Sequence, residues 1–225
     1  MDLNTVTVIA RPRSRDEIKP IAEGDAYLAG GTWLFSEPQP QLRRLIDLTT
    51  LRWQSLVANE AGLSIAATCT VAELDAFEPP VAWGAATLIG RCCRSFLASF
   101  KIWNTATVGG NVCMALPAGP MISLVAALHG VCVIWRLDGG ERRLPVLDFV
   151  QGPTQNALRS GELLRTIELP REAFDATHGL SPHLAHAARP LRRAADRHPV
   201  GCKRLHPDCD GLDAAAGAAR LRRYP

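Results

Sequence analysis

The stretch KIWNTATVGGNVC, residues 101–113, sets two adjacent glycines and an asparagine directly after Asn104-Thr105-Ala106-Thr107. A glycine pair deletes two side chains, admits positive φ and raises the entropic cost of folding, so it calls for a reason. Either a turn or a ligand lying against bare backbone would supply one. Before it runs VAWGAATLIGRCCRSFLASF (81–100), small and apolar with charge confined to Arg91 and Arg94, as in a mostly buried helix. After it comes MISLVAAL (121–128), a second helix, so the glycines are expected at a helix-to-helix turn.

Toward the N-terminus, SLVANEAGLSIAATCT (55–70) reads as two strands about a polar Asn59-Glu60-Ala61-Gly62 turn. Thr70 and Glu73 have the capping-box spacing that starts a helix. TVTVIA (5–10) alternates and is β-branched, SRDEIKPIAE (14–23) has a helical start interrupted by Pro20, DAYLAGG (25–31) is a strand running into glycines, and RLIDLTTL (44–51) is a third strand. The helical crossover between the last two is expected in TWLFSEPQPQLRR (32–44), broken by Pro38 and Pro40. Toward the C-terminus, GVCVIWRL (130–137) is a strand, DGGE (138–141) a tight turn and ELLRTIEL (162–169) a further strand. The class is α+β, with a small N-terminal α/β subdomain over residues 1–53 and a larger sheet-and-helix subdomain over 54–176.

With 225 residues and 47% hydrophobic content, the chain can bury a real core. No apolar run reaches the roughly 18 residues of a membrane helix, and the N-terminus has no signal-like apolar segment, so a cytoplasmic protein without a membrane partner is expected. Seven cysteines without a regular framework suit reduced thiols. No Cys-x-x-Cys pair offers iron–sulfur ligands, and Cys202, His206 and Cys209 fall short of a four-ligand zinc set, so no metal is expected. His129 lies at a helix end before a strand, where a structural or capping role fits.

Two glycine segments stand out: LAGGTWL (28–34) at a strand end and TATVGGN (105–111). Each offers backbone N–H groups clear of side chains, with Thr or Asn beside them, which is how a protein without a P-loop holds a pyrophosphate. Singly, each also suits a structural turn. The P-loop and dinucleotide fingerprints are both absent. In order, Ala29-Gly30-Gly31-Thr32, then Ile102 through Asn111, then Gly161-Glu162-Leu163-Leu164 through Pro170, resemble the FAD-binding medium subunit of the molybdenum hydroxylases, the xanthine and carbon monoxide dehydrogenase family with its PCMH-type FAD-binding fold. The resemblance covers roughly residues 1–176.

That resemblance implies FAD as cofactor, contacted by Leu28, Ala29, Gly30, Gly31, Thr32 and Trp33 from one loop and by Thr105, Ala106, Thr107, Gly109, Gly110 and Asn111 from the other, with Leu164 near the flavin ring. It implies no proton-transfer residue. It also implies a molybdopterin-binding large subunit and a 2Fe-2S small subunit as partners, with electrons passing from the iron–sulfur clusters to an external acceptor. Two departures stand out. Trp33 replaces the Asp common after Ala-Gly-Gly-Thr, and Pro117-Ala118-Gly119-Pro120 lacks the carboxylate of the family's Pro-x-x-Asp, worth about 0.5–1.5 kcal/mol for one hydrogen bond. A self-contained flavin oxidase of the vanillyl-alcohol-oxidase type is the alternative, although LAGGTWL has no histidine for covalent attachment. A truncated non-catalytic remnant is another.

Residues 177–225 change character, with five of the six histidines and many arginines but no periodicity. Read literally this is a disordered basic tail, though no nucleic-acid partner is expected. Reading the degenerate codons of Arg189–His198 one nucleotide later permits Gly-Arg-Ser-Ala-Ala-Leu-Leu-Ile-Gly-Thr, the segment the family carries there. The tail therefore reads as frameshifted or disordered, with the family's C-terminal domain missing.

Overall fold

The structure is a computed structural model that describes residues 3–136 and 138–175. The expectations for the tail at 177–225, the shifted frame and the Cys202, His206 and Cys209 cluster included, lie outside those residues.

Strands β1 (Val8–Ala10), β2 (Asp25–Leu28) and β3 (Arg44–Asp47) form a parallel sheet in the order β1-β3-β2. Leu45 and Ile46 of β3 are buried on its opposite faces, and Ile46 shares its cluster with Leu48 just beyond the strand. Between β1 and β2 the expected helix shrinks to a single 3-10 turn at Arg15–Glu17. Between β2 and β3 the expected helical crossover is replaced by turns over residues 32–36. Pro38 and Pro40 have no N–H to donate and fix φ, so no helical ladder survives there. The connection is held instead by Arg43 N–H to Gly24 O (2.7 Å) and by the Arg44–Asp25 ion pair.

The second layer starts with the hairpin β4 (Leu56–Asn59) and β5 (Gly62–Ala66). Helix α1 (Val71–Asp75) follows through the expected capping box: Thr70 Oγ1 accepts from Glu73 N–H (3.1 Å) and Glu73 Oε2 accepts from Thr70 N–H (2.7 Å). The long helix expected over 81–100 is cut short. A 3-10 turn at Gly84–Ala86 leads into α2 (Thr87–Ser95), and Val81, Leu97 and Phe100 are exposed. Trp83 N–H is taken by Pro80 O, so the chain turns there before helix can begin.

Helices α3 (Phe100–Trp103), α4 (Val108–Met114) and α5 (Pro120–Ala127) come next. Strands β6 (Val131–Trp135) and β7 (Glu141–Pro145), helix α6 (Val146–Phe149), the ribbon β8 (Val150–Gly152) and β9 (Gln155–Asn156), and β10 (Leu163–Pro170) complete the layer. The large sheet is antiparallel, ordered β4-β5-β10-β6-β7. Its core packs Ile65, Ile134 and Ile167 of the sheet against Leu124 and Val125 of α5, Phe149 and Phe174. His129 follows α5 with φ 51°, the left-handed backbone of a helix end.

Arginine and tryptophan bridge the two layers. The Arg165 guanidinium lies 4.2 Å from the Trp53 ring centre and 5.4 Å from that of Trp135, and the two indoles meet edge to face at 5.4 Å. Arg15 covers Trp135 at 4.6 Å and donates to Gly140 O at 2.5 Å. A cation–ring contact is worth about 0.5–1 kcal/mol at an exposed site and about 2 kcal/mol when desolvated.

Candidate functional site

The first glycine loop leaves the carboxyl end of β2, and the second runs from α3 into α4. Gly109 and Gly110 sit in the first turn of α4, not in a turn between helices, and Thr107 caps that helix by accepting from Gly110 N–H at 3.1 Å. The two loops touch. A Cβ at Gly30 would lie 2.8 Å from the Thr105 carbonyl carbon and closer still to its oxygen, so only glycine lets the first loop reach the second. The second loop is pinned to the segment that joins β5 to α1. Val108 N–H donates to Cys69 O (2.8 Å), Gly109 N–H to Ala67 O (3.2 Å) and Val71 N–H to Ala106 O (2.9 Å).

Between the loops lies a cleft of about 430 Å³. Ala29, Gly30, Gly31, Thr32 and Trp33 line it on one side, and Ala106, Thr107, Gly110 and Asn111 on the other. Four residues of the sequence-based set lie off this lining. Leu28 ends β2, Thr105 turns its carbonyl to Gly30, Gly109 is buried against Ala67, and Leu164 is buried in β10 opposite Ile134. Trp33 is 38% exposed, so it is a wall of the cleft and not a core residue. Where the resemblance places a carboxylate, Pro120 occupies the first position of α5 and Ala118 stands at φ 58°.

The polar groups of the two loops differ. In the first, the carbonyls of Gly31 and Trp33 accept from Phe35, Ser36 and Glu37. Among the described residues no acceptor meets the N–H groups of Gly30, Gly31, Thr32, Trp33 or Leu34. In the second, Val108 through Asn111 all have protein acceptors for their N–H groups. Most free donors therefore come from the first loop, whereas the sequence suggested both; in the second only the Thr107 N–H is left without an acceptor among the described residues. What the second loop leaves open is an acceptor: Asn111 Oδ1 is buried and without a hydrogen-bond partner. An unpaired buried acceptor costs about 1–3 kcal/mol.

Sequence reasoning missed the apolar wall, made by Phe96, Ile102, Met114 and Leu116, and the flanking Tyr27 and Cys113. Their only signal in the sequence is apolarity, which equally marks a core. Burial pushes the Tyr27 hydroxyl up to about 12, and burial followed by the nearby Cys132 pushes the Cys113 thiol up to about 12. Both stay protonated at neutral pH, so neither is a ready base or nucleophile. All five described cysteines are free and shifted upward. Alkylation at pH 8 mapped by mass spectrometry is accordingly expected to leave Cys69, Cys92, Cys93, Cys113 and Cys132 largely unmodified until denaturant is added. Rapid native labelling of Cys113 would contradict the assignment of a protonated thiol.

Residues 8–172 match the family described as the FAD binding domain in molybdopterin dehydrogenase. The chain belongs to this family. FAD is the cofactor of such domains, and the match takes in both glycine loops and β10. Caffeine dehydrogenase subunit beta of Pseudomonas sp. (strain CBB1) is 39% identical to this FAD-binding chain over 74 residues, 33% of this chain and 25% of that one. The glyceraldehyde dehydrogenase medium chain of Sulfolobus acidocaldarius is 32% identical over 74 residues, 33% of this chain and 26% of that one. The matched stretch thus spans about a quarter of the length of these curated relatives. Quinoline 2-oxidoreductase from Pseudomonas putida 86 superposes with a TM-score of 0.64 at 24% identity, covering 76% of this chain and 60% of that one, which shows the fold. Among the described residues, no helix is long and apolar enough to cross a membrane.

Proposed function

We propose that this chain is the FAD-carrying electron-transfer part of a molybdopterin-dependent dehydrogenase, an oxidoreductase of the cytoplasm. It would work beside a molybdopterin-binding large subunit and a 2Fe-2S small subunit and deliver electrons to an external acceptor. The observation that carries this is the pairing of five uncommitted backbone donors at Gly30–Leu34 with the orphaned Asn111 acceptor on one cleft. Diphosphate oxygens need donors, and ribityl hydroxyls need acceptors.

The residues divide the work by chemistry. The N–H groups of Gly30 to Leu34 would hold the diphosphate, as contiguous backbone donors do in anion-binding loops. Asn111 Oδ1 would accept from a ribityl hydroxyl, and Thr107 Oγ1, already an acceptor for Gly110, keeps its proton to give. Trp33, Phe96, Ile102, Met114 and Leu116 exclude water from the same space. When bound, FAD supplies the capacity to accept two electrons and release them, so the site needs no acid or base of its own.

Titration of the purified chain with FAD, followed by tryptophan fluorescence, is expected to show stoichiometric quenching, because Trp33 lines the cleft. Asn111→Leu is expected to weaken FAD by up to about tenfold while the cofactor-free protein gains about 1 kcal/mol, since the substitution removes an unpaired buried acceptor. A folded chain that takes up no FAD, or an Asn111→Leu variant that binds it as the wild type does, would count against the proposal.

A further inference from the structure

The carboxyl edge of the parallel layer carries a second cleft, of about 640 Å³, lined by Arg11, Arg13, Thr50, Leu51 and Arg52. It shares no lining residue with the cleft between the glycine loops. Arg11 and Arg13 follow β1, and Arg52 follows the 3-10 turn after β3. The strand register pairs Ala10 with Ile46 and Leu28 with Asp47, so all three strands end on one edge. Neighbouring strands lie about 4.8 Å apart, which separates the ends of β1 and β2 by about 10 Å. The carboxyl edge is where open parallel sheets bind ligands.

The arginine-bearing segments are fastened together. The Thr50 hydroxyl is within bonding distance of both Pro12 O (2.6 Å) and Asp47 O (2.8 Å). Arg52 stands in the left-handed region at φ 48°, its N–H bonded to Thr49 O at 3.2 Å. Six other arginines, at 44, 94, 136, 142, 143 and 171, have carboxylates within 4.0 Å, but among the described residues Arg11, Arg13 and Arg52 have none. Of the nearby acids, Glu17 accepts from Arg13 N–H, and Asp47 accepts from Thr49. Three like charges on one cleft repel each other, and an anion between them relieves that repulsion. Guanidinium forks match phosphate oxygens two at a time.

We infer that this cleft binds a phosphate-bearing small molecule at a site separate from the one between the glycine loops. The site does not depend on the proposed electron-transfer role, because its charge and shape come from residues that the FAD cleft does not use.

Calorimetric titration of the full chain at low salt with inorganic pyrophosphate, alone and after saturation with FAD, tests this. Binding is expected in both cases. Arg11→Gln combined with Arg52→Gln is expected to weaken it about 100-fold, at about tenfold per guanidinium, without changing FAD affinity. Arg13→Gln alone is expected to cost about tenfold, which keeps the test readable if the double variant folds poorly, and Arg91→Gln on α2 serves as the control with no effect. A parallel titration with ADP separates the two sources of a phosphate group: tighter binding than pyrophosphate indicates a nucleotide, and equal binding indicates the phosphates alone. Either result supports the site. Pyrophosphate binding that FAD abolishes, or that the double variant leaves intact, overturns it. The titration without FAD stays readable even if the chain takes up no flavin.

Discussion

Gly30→Val is expected to abolish FAD uptake and to lower stability by about 3 kcal/mol, the upper range for overpacking a tight contact. The added carbon would meet main chain, at 2.8 Å from the Thr105 carbonyl carbon and 3.3 Å from Ala106 Cα. No side chain can rotate out of the way. One of the two loops must move, and the cleft exists only where they meet. Thermal melts and fluorescence titration check both halves of the expectation. Gly84→Ala is the control, since a Cβ there meets nothing nearer than Phe174 O at 3.8 Å, and its effect is expected within about 0.5 kcal/mol. A Gly30→Val protein that binds FAD normally would show that the loops need not touch.

Arg142→Ala is expected to destabilise by about 3 kcal/mol at pH 7, the lower end of the range for breaking a buried ion pair. The Glu162 side chain is only 6% exposed and accepts from Arg142 Nε (3.1 Å), from Arg142 Nη2 (2.5 Å) and from Arg159 N–H (2.9 Å). Burial alone would raise the carboxyl, but the Arg142 hydrogen bonds, followed by the Arg159 N–H, outweigh it and hold the group below the usual carboxylate range. A depressed folded value means the contribution is complete above the unfolded value, about pH 4.3, and is lost as pH falls through the folded value. The gap between wild type and Arg142→Ala should therefore start to narrow as pH falls below about 4. Urea unfolding at pH 7 and pH 3.5 measures it, and a gap that does not narrow in acid would assign the loss to packing of the arginine stem and its bond to Ala157 O instead.

Local chemistry was the legible part of this fold. Thr70 and Glu73 cap α1 as their spacing predicts, because a capping box is closed within four residues and needs no tertiary help. Strand β7 escaped notice. Its Glu-Arg-Arg-Leu-Pro sequence carries three charges and a proline, and only pairing with β6 at the sheet edge makes it a strand. The 81–100 stretch misled in the opposite direction, since its apolar residues are shared between α2 and an exposed surface at Leu97 and Phe100. In the site, the glycines announced themselves because so few structural reasons justify a pair. Nothing in the sequence separated Gly30, which meets main chain, from Gly31, which stands at φ 70°. Nor did it show that the N–H groups of Val108 to Asn111 are bonded within the fold while those of Gly30 to Leu34 are not.

The second loop is fastened through main-chain bonds at Ala67, Cys69 and Val71, and the first presents main-chain N–H groups. A surface assembled from peptide groups is indifferent to most replacements of the side chains around it. What it does require is the few glycines that let the peptides approach one another.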